Sequence, residues 1–86
     1  MTTLTKEDVF EIVKEKICEV LGDNVPPASI RPEVSLKELG ANSLDRMEVV
    51  SLSMQALSLR FPLSELRSVT NVGELALALF QKKSGP

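Results

Sequence analysis

An all-α fold is predicted: a small bundle of three main helices and a short fourth, with a long loop between helices I and II. Three observations predict it. Apolar residues recur at helical spacing in three stretches, clusters of Gly and Pro separate those stretches, and no segment alternates apolar and polar residues as a half-buried strand would. Composition agrees. Of the 86 residues, 43% are hydrophobic but only three are aromatic, all Phe, so the core must be built from Leu, Val, Ile, Ala and Met.

The first helix is expected over residues 5–21. Thr5 followed by Asp8 is a helix-start pattern, and Val9, Ile12, Val13, Ile17, Val20 and Leu21 then repeat at helical spacing. Gly22, Asp23, Asn24, Pro26 and Pro27 stop it, since Gly and Asn accept a left-handed end and proline cannot continue the hydrogen-bond ladder. A connection as long as residues 22–42 must pack to belong in so small a domain. Ile30, Val34, Leu36 and Leu39 are its apolar anchors, and Ser35 with Glu38 forms the capped start of a helical turn.

A second helix is expected over residues 43–58, with Leu44, Met47, Val50, Met54 and Leu57 as its inner stripe. Asp45, Arg46, Glu48, Ser51 and Gln55 take the other positions. Pro62 interrupts, residues 63–66 can form one turn between Phe61 and Val69, and Thr70 or Asn71 caps a last helix carrying Val72, Leu75, Ala76, Leu79 and Phe80. The expected organisation is one domain over residues 1–86, with a core over about 5–82 and a polar tail at 83–86.

Composition also narrows function. Ten basic and twelve acidic residues give a net charge of −2, which offers no general attraction to nucleic acid or to an anionic membrane. There is no His, the commonest general base and metal ligand, and the lone Cys18 cannot form an intramolecular disulfide or a thiolate metal site. Autonomous catalysis is therefore not expected, nor is a metal. Cys18 sits beside the first apolar stripe and reads as a buried structural thiol. The first residues lack the apolar run of a secretory signal and no stretch is long enough to span a bilayer, so a cytoplasmic monomer is expected.

Chemistry concentrates at Leu39-Gly40-Ala41-Asn42-Ser43-Leu44-Asp45. This segment puts a hydroxyl at a loop-to-helix junction, where backbone N–H groups lack helical partners and the helix dipole favours an anion. Gly40 lets the chain turn sharply and leaves room for an approaching enzyme. On helix physics alone, a Ser or Asn at such a place is far more often an ordinary N-cap than a modification site. A hydrolase built on Ser43 would lack the His of a base-and-orienter set.

The run Gly40-Ala41-Asn42-Ser43-Leu44 resembles the signature of the acyl carrier protein family: Gly, a spacer, an acidic residue, the modified Ser and an aliphatic residue opening the second helix. The resemblance extends over nearly the whole chain. It includes the lead-in Ser35-Leu36-Lys37-Glu38-Leu39-Gly40 and the opening of the last helix, Thr70-Asn71-Val72-Gly73-Glu74-Leu75. It implies that Ser43 receives 4′-phosphopantetheine from coenzyme A through a separate phosphopantetheinyl transferase, and that the terminal thiol then holds an acyl group. Such an arm supplies the nucleophile that the side chains lack. Asn42 departs from the usual Asp: it keeps a capping oxygen and loses a charge that helps engage the transferase, which Asp45 and Glu48 partly replace.

The longer run through Asp45 and Arg46 is similar, more narrowly, to stand-alone carriers of polyketide β-branching cassettes. These donate acetyl to an enzyme resembling hydroxymethylglutaryl (HMG) synthase. That resemblance implies an acyl-loading enzyme and an HMG-synthase-like enzyme or ketosynthase as partners. Asn42, Leu44, Asp45, Arg46, Met47 and Glu48 form the expected recognition face, while Arg60 and Arg67 are weaker candidates. Met47, Val50, Met54 and Leu57 are candidates for an acyl-chain pocket, although a stripe of this kind also reads as plain core. A peptidyl or fatty-acid carrier, or an unmodified helical adaptor, is the alternative.

Overall fold

Thr5 opens the first helix, α1 (Lys6–Leu21), by the predicted capping box: its hydroxyl accepts from the Asp8 N–H at 3.1 Å, and the Asp8 carboxylate accepts from the Thr5 N–H at 3.0 Å. The computed structural model describes residues 4–22, 25–60, 66 and 69–84. Gly22 ends α1 at φ +66°, a conformation open to glycine and costly for most other residues. Val9, Val13 and Ile17, spaced four apart, are fully buried, whereas Ile12, Val20 and Leu21 flank them half-buried. Each such fully buried aliphatic side chain stabilises the fold by about 1.5–3 kcal/mol. Cys18 is a free thiol packed half-buried against the core, not fully inside it.

The long connection packs as expected. Val25 and Ile30 are buried either side of a short 3-10 turn at Pro27–Ser29, which the apolar pattern did not indicate. Ser35 and Glu38 form a second reciprocal box: Ser35 Oγ accepts from the Glu38 N–H at 3.0 Å, and Glu38 Oε1 accepts from the Ser35 N–H at 3.1 Å. The turn they start closes on Gly40. The Gly40 N–H donates to the Lys37 carbonyl at 3.0 Å and the Ala41 N–H to the Leu36 carbonyl at 3.0 Å, the paired bonds of a Schellman stop.

The second helix is α2 (Ser43–Ala56), two residues shorter than expected. Another Schellman pair ends it: Ser58 takes φ +57°, its N–H donating to the Gln55 carbonyl, while the Leu59 N–H donates to that of Met54. The predicted inner stripe of α2 needs correction. Leu44 and Met47 are 71% and 54% exposed, Val50 is half-buried, and the face turned to the core holds Val49, Ser53, Met54 and Leu57. Apolar residues surround α2 on several sides and its central core position is a serine, so the pattern does not single out the buried face.

Ser53 is fully buried and its hydroxyl has no hydrogen-bond partner among the described residues. An unmet buried hydroxyl costs about 1–3 kcal/mol. Ser53→Ala should therefore raise stability by about 1 kcal/mol in urea unfolding; a loss of stability would show that the hydroxyl is satisfied.

The last helix, α3 (Val72–Ser84), buries Val72, Leu75, Ala76 and Leu79, with Phe80 half-buried. α1 packs on both α2 and α3, and the three inner faces share one core. The start of α3 is tied to the long loop: the Val72 N–H donates to the Val34 carbonyl at 2.9 Å, and the Gly73 N–H to the Pro32 carbonyl at 2.8 Å. Asn71 Oδ1 accepts from the Glu74 N–H at 2.7 Å, so Asn71 is the cap. The expected turn at residues 63–66 lies outside the described residues apart from Leu66.

Glu74 turns back on Thr70, accepting from its N–H at 2.9 Å and its hydroxyl at 2.8 Å. The backbone bond first, then the hydroxyl bond, holds the Glu74 carboxyl below the usual glutamate range. A depressed carboxyl adds stability above its unfolded pKa and loses it as pH falls through the folded value. The advantage of the natural protein over Glu74→Gln should thus be largest at neutral pH and vanish on acidification, as followed by thermal unfolding. A difference independent of pH would contradict this linkage.

Among the described residues, no helix is long and apolar enough to cross a membrane, and no cluster of His, Cys, Asp or Glu is placed to hold a metal ion.

Candidate functional site

Asn42 settles which residue caps α2. Its Oδ1 accepts from the Asp45 N–H at 2.8 Å and the Asp45 carboxylate accepts from the Asn42 N–H at 3.2 Å. Neutral Asn therefore performs the capping role in full, and Asp45 is engaged in return. Ser43 is not the cap: it is the first residue inside the helix and it is exposed. Its Oγ accepts from Arg46 Nη2 at 3.2 Å, one helical turn on.

The approach to Ser43 is shaped by Gly40 at φ +95°, where a side chain would be strained. A Cβ there would meet nothing within 4 Å, so the backbone conformation, not lack of space within the chain, calls for glycine. Ala41, which ends the turn, is buried. Among the described residues, the Ser43 and Leu44 N–H groups donate to no protein acceptor. An exposed hydroxyl, two free N–H donors and a guanidinium thus converge at one helix start, which suits an attached phosphate.

From Ser43 a cleft of about 570 Å³ runs between α2, the 35–37 segment and the start of α3. Leu36, Met47, Val50, Leu66, Val69 and Leu75 supply its apolar lining, and Ser35, Lys37, Arg46, Thr70 and Asn71 its polar lining. Of the four expected pocket residues, Met47 and Val50 line this cleft, whereas Met54 and Leu57 lie in the core. The contributions of Lys37, Thr70 and Asn71 were not expected; they follow from the bonds that draw the loop onto α3. Leu44, Met47 and Glu48 are exposed along the first turns of α2 beside Arg46, and Asp45 is half-buried. Arg60 is exposed elsewhere, and Arg67 lies outside the described residues.

The family model described as phosphopantetheine attachment site matches residues 11–79. The chain belongs to the phosphopantetheine-binding acyl carrier family. It is 42% identical over 79 residues to the polyketide biosynthesis acyl-carrier-protein AcpK of Bacillus subtilis, covering 92% of this chain and 95% of that one. It is 32% identical over 73 residues to an acyl carrier protein of Saccharopolyspora erythraea, covering 84% and 75% of the two chains. It also matches, at 39% identity and a TM-score of 0.75, a chain in the crystal structure of the curacin biosynthetic pathway HMG synthase in complex with acetyl donor-ACP. That match covers 90% of this chain and 96% of the other.

The protein is accordingly an acyl carrier and not an enzyme. Its cofactor is a covalent phosphopantetheine, whose thiol holds the acyl group as a thioester.

Proposed function

We propose that Ser43 carries the phosphopantetheine arm and that this carrier donates acetyl to an HMG-synthase-like enzyme during polyketide β-branching. The observation that carries the attachment is the division of labour at the start of α2: Asn42 and Asp45 close the helix, leaving Ser43 Oγ exposed and without a structural task in the cap. In the loading step Ser43 Oγ forms a bond to phosphorus, the pyrophosphate bond of coenzyme A breaks, adenosine bisphosphate leaves and the serine proton is released. A phosphopantetheinyl transferase performs this step, and a separate enzyme supplies the acyl group.

The donor role is supported by likeness to a chain crystallised with an HMG synthase as acetyl donor-ACP. It also suits the exposed surface. Leu44 and Met47 stand out from α2 beside Ser43 and offer apolar anchors, while Asn42, Asp45, Arg46 and Glu48 supply the polar rim of a docking face. In this reading the cleft lined by Met47 and Val50 shelters part of the loaded arm, and Met54 and Leu57 serve the core alone.

Transfer tests the role. Protein loaded with isotopically labelled acetyl is mixed with an HMG-synthase-like enzyme, and label on the synthase is followed by mass. Acetylation of the synthase is expected. Retention of the acetyl group on a correctly loaded carrier would overturn the donor reading and leave a carrier of other cargo.

A further inference from the structure

Arg46 spends its charge on a neutral oxygen. Its Nη2 donates to the Ser43 hydroxyl at 3.2 Å, and among the described residues no carboxylate lies within ion-pair distance of it. Asp45, its neighbour in sequence, is held by the Asn42 N–H. A guanidinium is permanently charged, planar and matched to pairs of phosphate oxygens, a capacity that an aliphatic hydroxyl barely uses. The cleft beginning at Ser43 has Lys37 and Arg46 in its lining and, among the described residues, no carboxylate.

We infer that Arg46 is a positioning residue for the phosphopantetheine arm: after modification it exchanges Ser43 Oγ for a non-bridging oxygen of the phosphodiester and biases the arm toward the cleft. The inference rests on attachment at Ser43. Esterification turns Oγ into a bridging oxygen, a poorer acceptor, and places a negative charge on the neighbouring phosphate oxygens. The exchange forms and breaks only hydrogen bonds. Arg46 lies one turn along the same helical face, so its side chain reaches the new acceptor without backbone movement. The new bond joins two charged groups, whereas the bond it replaces joins the charged guanidinium to a neutral hydroxyl. The free Ser43 and Leu44 N–H donors lie at the same helix start, so the phosphate has more than one anchor there.

The experiment uses the modified full chain with no partner enzyme present, so that a docking role of Arg46 does not enter the readout. The natural protein, Arg46→Lys and Arg46→Gln are each loaded, and intact mass with peptide mapping establishes the adduct. Phosphorus NMR then reports the phosphodiester, and carbon relaxation of the arm's geminal methyl groups reports its mobility. In Arg46→Gln the phosphorus resonance should move toward that of free phosphopantetheine and the methyl groups should gain mobility; Arg46→Lys should recover part of each effect. A complete adduct on Ser43 with unchanged resonance and relaxation in Arg46→Gln would overturn the positioning role alone. No adduct on Ser43 of the natural protein would overturn the attachment reading, and the positioning role with it.

Discussion

Ser43→Ala is expected to abolish loading completely while leaving the fold intact. The two halves of this result separate because α2 is capped one residue earlier. Asn42 and Asp45 keep both bonds of the capping box, alanine has the highest intrinsic helix propensity, and among the described residues the side-chain bond lost is an exposed one to Arg46. Unfolding free energy should change by no more than about 0.5 kcal/mol. Asn42→Ala should behave in the opposite sense, costing about 1 kcal/mol while retaining the acceptor oxygen. Intact mass after incubation with coenzyme A and a transferase, together with thermal unfolding, reads both quantities. Unfolding of Ser43→Ala would return the serine to a structural role.

Gly73→Val should destabilise the protein by about 1–3 kcal/mol, the usual range for overpacking. Replacing glycine in an exposed helical position ordinarily gains stability, by up to about 1 kcal/mol for alanine. Here the sign reverses. A Cβ on Gly73 would stand 2.8 Å from Pro32 Cβ and 3.0 Å from the Pro32 carbonyl oxygen, which already accepts the Gly73 N–H at 2.8 Å. The backbone contact leaves no flexible side-chain end to move aside. The damage should extend to the cleft, because the loop held at Pro32 and Val34 leads into Ser35, Leu36 and Lys37, while the start of α3 supplies Thr70 and Asn71. A fall in Tm of about 4–8 °C for each kcal/mol lost is expected for a domain of this size. An unchanged or higher Tm would show that the loop is not locked to α3 through this contact.

Gly73 also marks where sequence reading ends. Its place in the helix-opening motif was legible, but its purpose depends on Pro32, 41 residues earlier in the chain, and on no local pattern. By contrast, the three helices, the boxes at Thr5 and Ser35, the stop at Gly22 and the sharp turn at Gly40 were legible because each depends on residues within one or two turns. α2 shows both cases. Its start follows from local capping rules, yet neither the choice of Asn42 over Ser43 as cap nor the buried face does. Leu44 and Met47 carry apolar side chains outward while Ser53 lies inside, so hydrophobicity alone rotates the helix the wrong way. The outward apolar pair is costly for a helix with only a core to satisfy and useful for one that docks. The stop at Ser58 was hidden for a simpler reason: a serine occupies the positive-φ position where glycine is the usual signal.

Site mapping of the acetylated carrier tests most directly whether this chain holds its acyl group on Ser43. The protein is incubated with acetyl-coenzyme A and a broad-specificity phosphopantetheinyl transferase, then digested, and the modified peptide is sequenced by mass spectrometry. One acetyl-phosphopantetheine group on Ser43, with its acetyl released by hydroxylamine as a thioester, is the predicted result. An unmodified chain, or the adduct on any other hydroxyl, would contradict it.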